Sequence, residues 1–411
     1  EPPLSFQWYR GAPGSGTPIA GATSTNLTLT AIQPSHAGDY FAVVTNSTSS
    51  ATSAVATLTV HRAPQIVQQP TNTNLILHAG KSVSLSVSAI GALPLTYSWR
   101  TNGVPVPGGT AATLNLANLQ PVHSGNYAVV VANAFGSVTS SVVSVTVLAP
   151  NYPYAQLVLA NNPIGYWPLN ELSGNVAYDR VGGRNGNYNN VQLGQPGHNL
   201  VDTHTSARFG LLASQNSYVG GIPIDFGSAA NQSLTVECWV RGGVPNSDAG
   251  LITKGTGAGG EQFNLDCGGP GRAFRFFVRK DDGGVVGATG NIVPNNQWQH
   301  VVGVLNRAGG YVALYVNGIS NAAANNFPTE NYRGLLRTTN AMSIGSRQGG
   351  TGAYNFQWNG FIQDVAVYNY ALTPAQILAH YQAASNRAPV FVENPINRPA
   401  ANAGQFYAAA I

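Results

Sequence analysis

The sequence predicts an all-β chain built from several sandwiches in series, and three observations carry that expectation. Short runs alternate apolar and polar residues, as in "TLNLANL" and "YVALYVNG", the period-two pattern of strands with one buried face. Glycine, asparagine and proline punctuate those runs, with 48 Gly and 25 Pro in 411 residues supplying the turns. A long stretch near the start also occurs twice. Charged residues are only 8% of the chain, far below the ~25% usual for globular proteins. The formal net charge is +4, but the basic residues are scattered. No basic run could track a phosphate backbone, which argues against a nucleic-acid partner. No apolar stretch is long enough for a membrane-inserted span.

The repeat pairs "TSTNLTLTAIQPSHAGDYFAVVTNSTSSATSAVATLTV" from Thr23 with "TAATLNLANLQPVHSGNYAVVVANAFGSVTSSVVSVTV" from Thr110. Both copies hold an alternating strand, a Leu/Ile-Gln-Pro turn, a Gly-x-Tyr corner (Tyr40, Tyr127) and two further strands. A tryptophan strand precedes each, at Trp8 and at Trp99. This order resembles the immunoglobulin fold, with its buried Trp and tyrosine corner. The family's inter-sheet disulfide is missing: Val87 and Val129 fill its positions in the second copy, and Ala42 fills one in the first. Apolar packing is expected to replace it. His36 and His123 stand at equivalent turn positions, where a turn hydrogen bond and a metal ligand are the two readings. The expected domains are 1–61, an incomplete immunoglobulin-like domain, and 62–149, a full one. Residues 386–411 repeat the Arg-Ala-Pro and Ala-Gly signals of the second copy's opening. They are expected to begin a further immunoglobulin- or cadherin-like domain.

Between them, 150–385 carries a different series. Its marks are Tyr166-Trp167-Pro168-Leu169, Val236-Glu237-Cys238-Trp239, Trp298-Gln299-His300-Val301, Tyr315-Val316-Asn317-Gly318 and Asp364-Val365-Ala366-Val367-Tyr368. The series resembles the laminin G-like, concanavalin A-like jelly roll, which implies two packed antiparallel sheets. One short C-terminal helix closes it. Thr373 is placed as N-cap and Pro374 in the first turn, with Ile377, Leu378 and Tyr381 toward one side. The expected fold class is therefore all-β: immunoglobulin-like sandwiches followed by a concanavalin A-like jelly roll with one short C-terminal helix.

The resemblance implies a structural Ca²⁺ joining the first strand to the last, with Asn170, Glu171 and Asp364 as oxygen ligands. The alternative is that these groups only cap strand ends in solvent. It also implies a glycan surface in the loops, where Tyr332, Arg333, Arg347 and Tyr354 offer aromatic and hydrogen-bonding groups. Trp167, Trp239, Trp298 and Trp358 are expected in packing roles. Retaining glycoside hydrolysis needs two carboxylates ~5 Å apart. In "EQFNLD" a regular strand would turn Glu261 and Asp266 to opposite faces, so no catalytic residue is assigned. Cys238 and Cys267 are either a disulfide or two small buried apolar residues.

The sequence thus reads as part of a secreted, bacterial surface protein, extracellular or cell-surface bound and not an enzyme. Its expected partner is a glycan or a cell-surface protein. Two alternatives accompany that reading. One is a filament subunit, self-associating head to tail by strand addition from residues 388–411. The other is an accessory region of a polysaccharide-degrading enzyme.

Overall fold

The computed structural model describes residues 3–150, 152–198, 204–211, 216–226, 232–257, 259–324, 335–336, 338–350 and 352–385. The expected terminal strands at 386–411 lie outside the described residues. The chain is all-β apart from two helices and three short 3₁₀ turns among those residues. It divides into two compact units: one of residues 1–73, 84–115 and 125–144, the other of 74–83, 116–124 and 145–411.

In the first unit the two tryptophan strands repeat one register. Strand Ser5–Arg10 pairs with Gly38–Thr45, placing Trp8 opposite Ala42. Strand Thr96–Thr101 pairs with Gly125–Asn133, placing Trp99 opposite Val129. Each indole N–H donates to a backbone carbonyl at 3.0 Å, Ser24 for Trp8 and Ala111 for Trp99. Trp99 is fully buried, as are Val129 and, nearly so, Tyr127 and Val87; Trp8 is half-buried. The valines at the disulfide positions are thus core residues. The paired histidines are turn residues: the Nδ1 of His36 accepts from the Gln33 backbone N–H, and that of His123 from Gln120, both at 2.8 Å. The Tyr40 hydroxyl donates to the His36 carbonyl at 2.6 Å, which closes the corner.

The second unit holds the jelly roll. Its elements are α1 (Pro153–Ala160), β1 (Gly165–Trp167), β2 (Val176–Ala177), β3 (Gly186–Asn189), β4 (Gln192–Pro196), β5 (Thr205–Phe209), β6 (Tyr218–Ile222), β7 (Leu234–Gly242), β8 (Gly250–Thr256), β9 (Gly260–Asp266), β10 (Arg275–Arg279), β11 (Val285–Thr289), β12 (Gln299–Asn306), β13 (Tyr311–Val316), β14 (Ile319–Ala324), β15 (Met342–Ile344), β16 (Gly360–Tyr368) and α2 (Pro374–Ser385). One sheet runs β4-β5-β16-β7-β12-β13-β14, with β1 also on β16. The other runs β2-β3-β6-β15-β8-β9-β10-β11. Val236, Cys238, Val301 and Val365 of the first sheet meet Phe263, Leu265, Phe276 and Ile344 of the second in one apolar core. Trp167 and Trp358 are buried in it, as expected of packing tryptophans.

The outer face of the first sheet has its own cover. Trp239, Val302, Ala366 and Tyr368 pack against Tyr154, Ala155 and Val158 of α1 and Ile377 and Ala384 of α2. α1 was not expected from the sequence. Its segment "PYAQLVLA" lacks charged residues and mixes apolar types without a clean helical stripe, and Pro153 at the first turn is its main start signal. α2 begins as expected. Thr373 Oγ1 accepts from the Gln376 N–H at 3.2 Å, and Gln376 Oε1 accepts from the Thr373 N–H at 2.9 Å, a reciprocal capping box. The buried stripe differs from the expected one: it is Ile377, His380 and Ala384, while Leu378 is exposed and Tyr381 half-buried. A buried carboxylate beneath the helix draws in the histidine.

Candidate functional site

Three polar clusters occur in the jelly roll. The first contains the residues expected to hold calcium. Asp364 sits at a bulge of β16, where Asp364 and Val365 oppose the single residue Cys238 on β7, and it takes a left-handed φ of 55°. The bulge turns Asp364 toward the helix-covered side, where its carboxylate accepts from the hydroxyls of Tyr152 and Tyr166 (2.6 Å for Tyr166) and faces His198 Nε2 at 2.8 Å. Glu171 accepts from Arg180 at 3.2 Å and from the Tyr188 hydroxyl at 2.6 Å. Asn170 Oδ1 accepts from Arg180 at 3.4 Å. Both carboxylates are thus occupied by O–H and N–H donors of the chain. Ca²⁺ takes six to eight oxygen ligands, and the donors around Asp364 and Glu171 are hydroxyls, a guanidinium and an imidazole in place of further carboxylates or carbonyls. Among the described residues no group of three or more His, Cys, Asp or Glu is placed to hold a metal ion.

The second cluster lies under α2. Glu237 on β7 is fully buried, with His300 Nε2 at 3.0 Å, His380 Nδ1 at 3.1 Å and the Tyr368 hydroxyl donating at 2.6 Å. Burial works to raise the Glu237 carboxyl, but the His380 and His300 imidazoles hold it well below the usual carboxylate range. Burial works to lower His380, and the Glu237 charge overrides it and raises the imidazole. His300 is lowered by burial. All four side chains are fully buried, so the cluster joins α2 to the sheet from within.

The third cluster is open. On the outer face of the second sheet, Arg275, Phe277 and Arg279 of β10 line a cleft of about 530 Å³ with Asp248, Thr289 and Arg347. Arg275 makes a bidentate pair with Asp266 (2.9 and 2.8 Å) and reaches Asp248 at 2.6 Å. Arg347 reaches Glu261 at 2.5 Å and Asp248 at 3.3 Å. Arg279 reaches Glu261 at 3.0 Å. The guanidiniums of Arg275 and Arg347 lie 5.0 and 5.8 Å from the Phe277 ring centroid. Three guanidiniums thus face three carboxylates around one aromatic ring. Burial tends to raise all three carboxyls; Arg347 and Arg279 hold Glu261 below the ordinary carboxylate range, the Ser247 hydroxyl and Arg275 do the same for Asp248, and at Asp266 burial outweighs the arginines and raises the carboxyl.

This geometry corrects one expectation. Glu261 and Asp266 both reach Arg347, at 2.5 and 3.9 Å, so they share a face. In the β8–β9 register Lys254 opposes Phe263 while its neighbour Gly255 opposes Glu261. The extra residue, Gln262, reverses the strand parity.

Of the four residues expected at the glycan surface, Arg347 is in this cleft. Tyr354 stacks on Tyr218, with ring centroids 3.6 Å apart. Tyr332 and Arg333 lie outside the described residues. Phe277, Arg275 and Arg279 were missed, although alternation in "RAFRFFVRK" places all three on one strand face. The cysteines are both free and buried in the core.

Residues 216–378 match the concanavalin A-like lectin/glucanases superfamily model. Residues 63–133 match the immunoglobulin domain model. Domains of these two kinds are typical of extracellular adhesion and binding proteins, and no catalytic family is indicated. Among solved structures, the chain is similar to the titin I-band fragment I67–I69 at 18% identity and a TM-score of 0.28, over 36% of this chain and 56% of that one. It is similar to the botulinum neurotoxin serotype D binding domain at 14% identity and a TM-score of 0.40, over 56% of this chain and 52% of that one. The N-terminal four immunoglobulin domains of Dscam1 isoform 6.9 match at 18% identity and a TM-score of 0.28, over 36% and 38%. The chain thus spans about half the length, or less, of these structures. No helix among the described residues is long and apolar enough to cross a membrane.

Proposed function

We propose that this chain is a non-catalytic, extracellular binding or adhesion protein, and that its jelly roll holds a neutral glycan in the cleft around Phe277. The observation that carries this reading is the balanced array of Arg275, Arg279 and Arg347 against Asp248, Glu261 and Asp266 beside that ring. Such groups are planar hydrogen-bond donors and acceptors already held in place, which suits adjacent hydroxyls on a sugar ring. The ring supplies the apolar surface. Because the charges balance, a strongly acidic ligand would gain little there.

The same pairing argues against turnover. Glycoside hydrolysis needs a protonated carboxyl and a second carboxylate both free to face the sugar, whereas Glu261 and Asp266 are each tied up by guanidiniums. A neutral-glycan array followed by titration calorimetry tests the proposal. Binding that weakens at least tenfold in Arg347→Gln, with an unchanged melting temperature, supports it. An array without hits, or binding indifferent to both Arg347→Gln and Phe277→Ala, overturns it.

A further inference from the structure

A different surface of the jelly roll, on the opposite sheet, carries an independent feature. Four residues stand side by side across adjacent strands of the first sheet, beyond the part that the helices cover. Arg208 of β5 is register partner to Phe361 of β16, and Phe361 is register partner to Arg241 of β7. Trp298, immediately before β12, continues the row, since its neighbour Gln299 pairs with Val240. The guanidinium of Arg241 lies 4.2 Å from the Phe361 ring centroid and 5.3 Å from that of Trp298. That of Arg208 lies 5.6 Å from Phe361 on its other side. Cation and aromatic thus alternate across four strands.

The row differs from the first cleft in charge. Arg180, Arg184, Arg275, Arg279 and Arg347 all have carboxylate partners. Among the described residues, Arg208 and Arg241 have none. Burial lowers the Arg241 guanidinium, as expected for a cation held without a counter-charge. The buried Nε of Arg208 and Nε1 of Trp298 also lack a hydrogen-bond partner. Beside the row opens a cleft of about 350 Å³, lined by Arg208 and Phe361 of the row together with Asn246, Asn296, Gln357 and Asn359, while Arg241 and Trp298 flank it without lining it. The described lining is therefore cationic, amide-rich and free of carboxylates.

We infer that this cleft is a second binding site, for a carboxylate-bearing sugar such as a hexuronate unit. A guanidinium fork matches a carboxylate in two parallel hydrogen bonds. The aromatic rings hold the two arginines in place by cation–π attraction and offer an apolar face to the sugar ring. The asparagine and glutamine amides can serve its hydroxyls. A phosphate or sulfate would satisfy the charge but leaves the amides and the aromatic face unused.

Titration calorimetry of the intact chain with trigalacturonate, neutral galactotriose and a sulfated disaccharide tests the assignment. We expect trigalacturonate to bind at least tenfold more tightly than galactotriose, and its affinity to fall as salt is raised. Arg208→Gln should weaken it at least tenfold with melting temperature preserved, and Arg241→Gln, which removes a cation that flanks the cleft, by a smaller factor. Equal binding of the acidic and neutral trisaccharides overturns the site, and so does no binding of trigalacturonate. Binding of the sulfated disaccharide alone overturns the carboxylate assignment. The salt dependence and the acidic-to-neutral ratio are read on the unmodified chain, so they decide the matter even if a variant fails to fold.

Discussion

The imidazole of His380 on α2 places its Nδ1 3.1 Å from Glu237 Oε2 on β7, and both side chains are wholly buried. The C-terminal helix is thereby fixed to the sheet by a polar contact inside an apolar interface. Removing His380 takes the charge partner on α2 from a buried carboxylate that keeps only His300 and the Tyr368 hydroxyl, so the cost should fall below the ~3–5 kcal/mol of a fully orphaned buried charge.

That contact sets a pH dependence. His380 is raised above the ~6.5 of an unfolded histidine because the Glu237 charge outweighs burial. Its contribution is therefore fully present below pH ~6.5 and is lost as pH rises through the higher folded value. Glu237 and His300 are lowered, so their contributions are lost on the acid side. His78 and His300, both lowered by burial, impose the opposite slope near pH 6 on both proteins, so the readout is the difference: in urea midpoints measured from pH 6 to 9, the natural chain should lose stability relative to His380→Gln as pH rises. Parallel curves for the two proteins would refute the assignment.

The two tryptophan strands should differ in weight. Trp99 is fully buried, so Trp99→Ala should cost about 3–5 kcal/mol. Trp8 is half-buried in the same register, and Trp8→Ala should cost clearly less. Urea unfolding followed by circular dichroism compares them.

Chelation should leave the jelly roll unaffected. The Asp364 carboxylate is occupied by Tyr152, Tyr166 and His198, so EDTA is expected not to shift the melting temperature. Asp364→Ala should lower it equally with and without EDTA. A chelator-induced drop that vanishes in Asp364→Ala would restore the calcium reading.

No hydrolysis of β-glucans or other common polysaccharides is expected, because the carboxylates that share a face are paired with arginines. Release of reducing sugar that disappears in Glu261→Gln would contradict this.

The fold was legible wherever alternation held. Trp8 and Trp99, the Tyr40 and Tyr127 corners and the Thr373 cap all follow from local pattern. Legibility failed where an extra residue reversed a strand's parity, at Gln262 on β9 and at Asp364-Val365 on β16. A bulge costs one residue and leaves no composition signal, so side chains beyond it are assigned to the wrong face. The histidines were unreadable for another reason. His198, His300 and His380 are far apart in sequence and meet their carboxylates only through sheet order and helix packing. The same holds for the row from Arg208 to Trp298, which exists only across strands.

Both cysteines are free thiols, and valines occupy the positions where an immunoglobulin sandwich carries its cystine. Among the described residues, then, no covalent cross-link closes any loop. A protein anchored at one end and pulled at the other would meet only hydrogen bonds and packing as resistance. Once a sandwich gives way, its full contour of about 3.3–3.6 Å per residue becomes available, with no cystine to halt the extension. Refolding afterwards would need no oxidant.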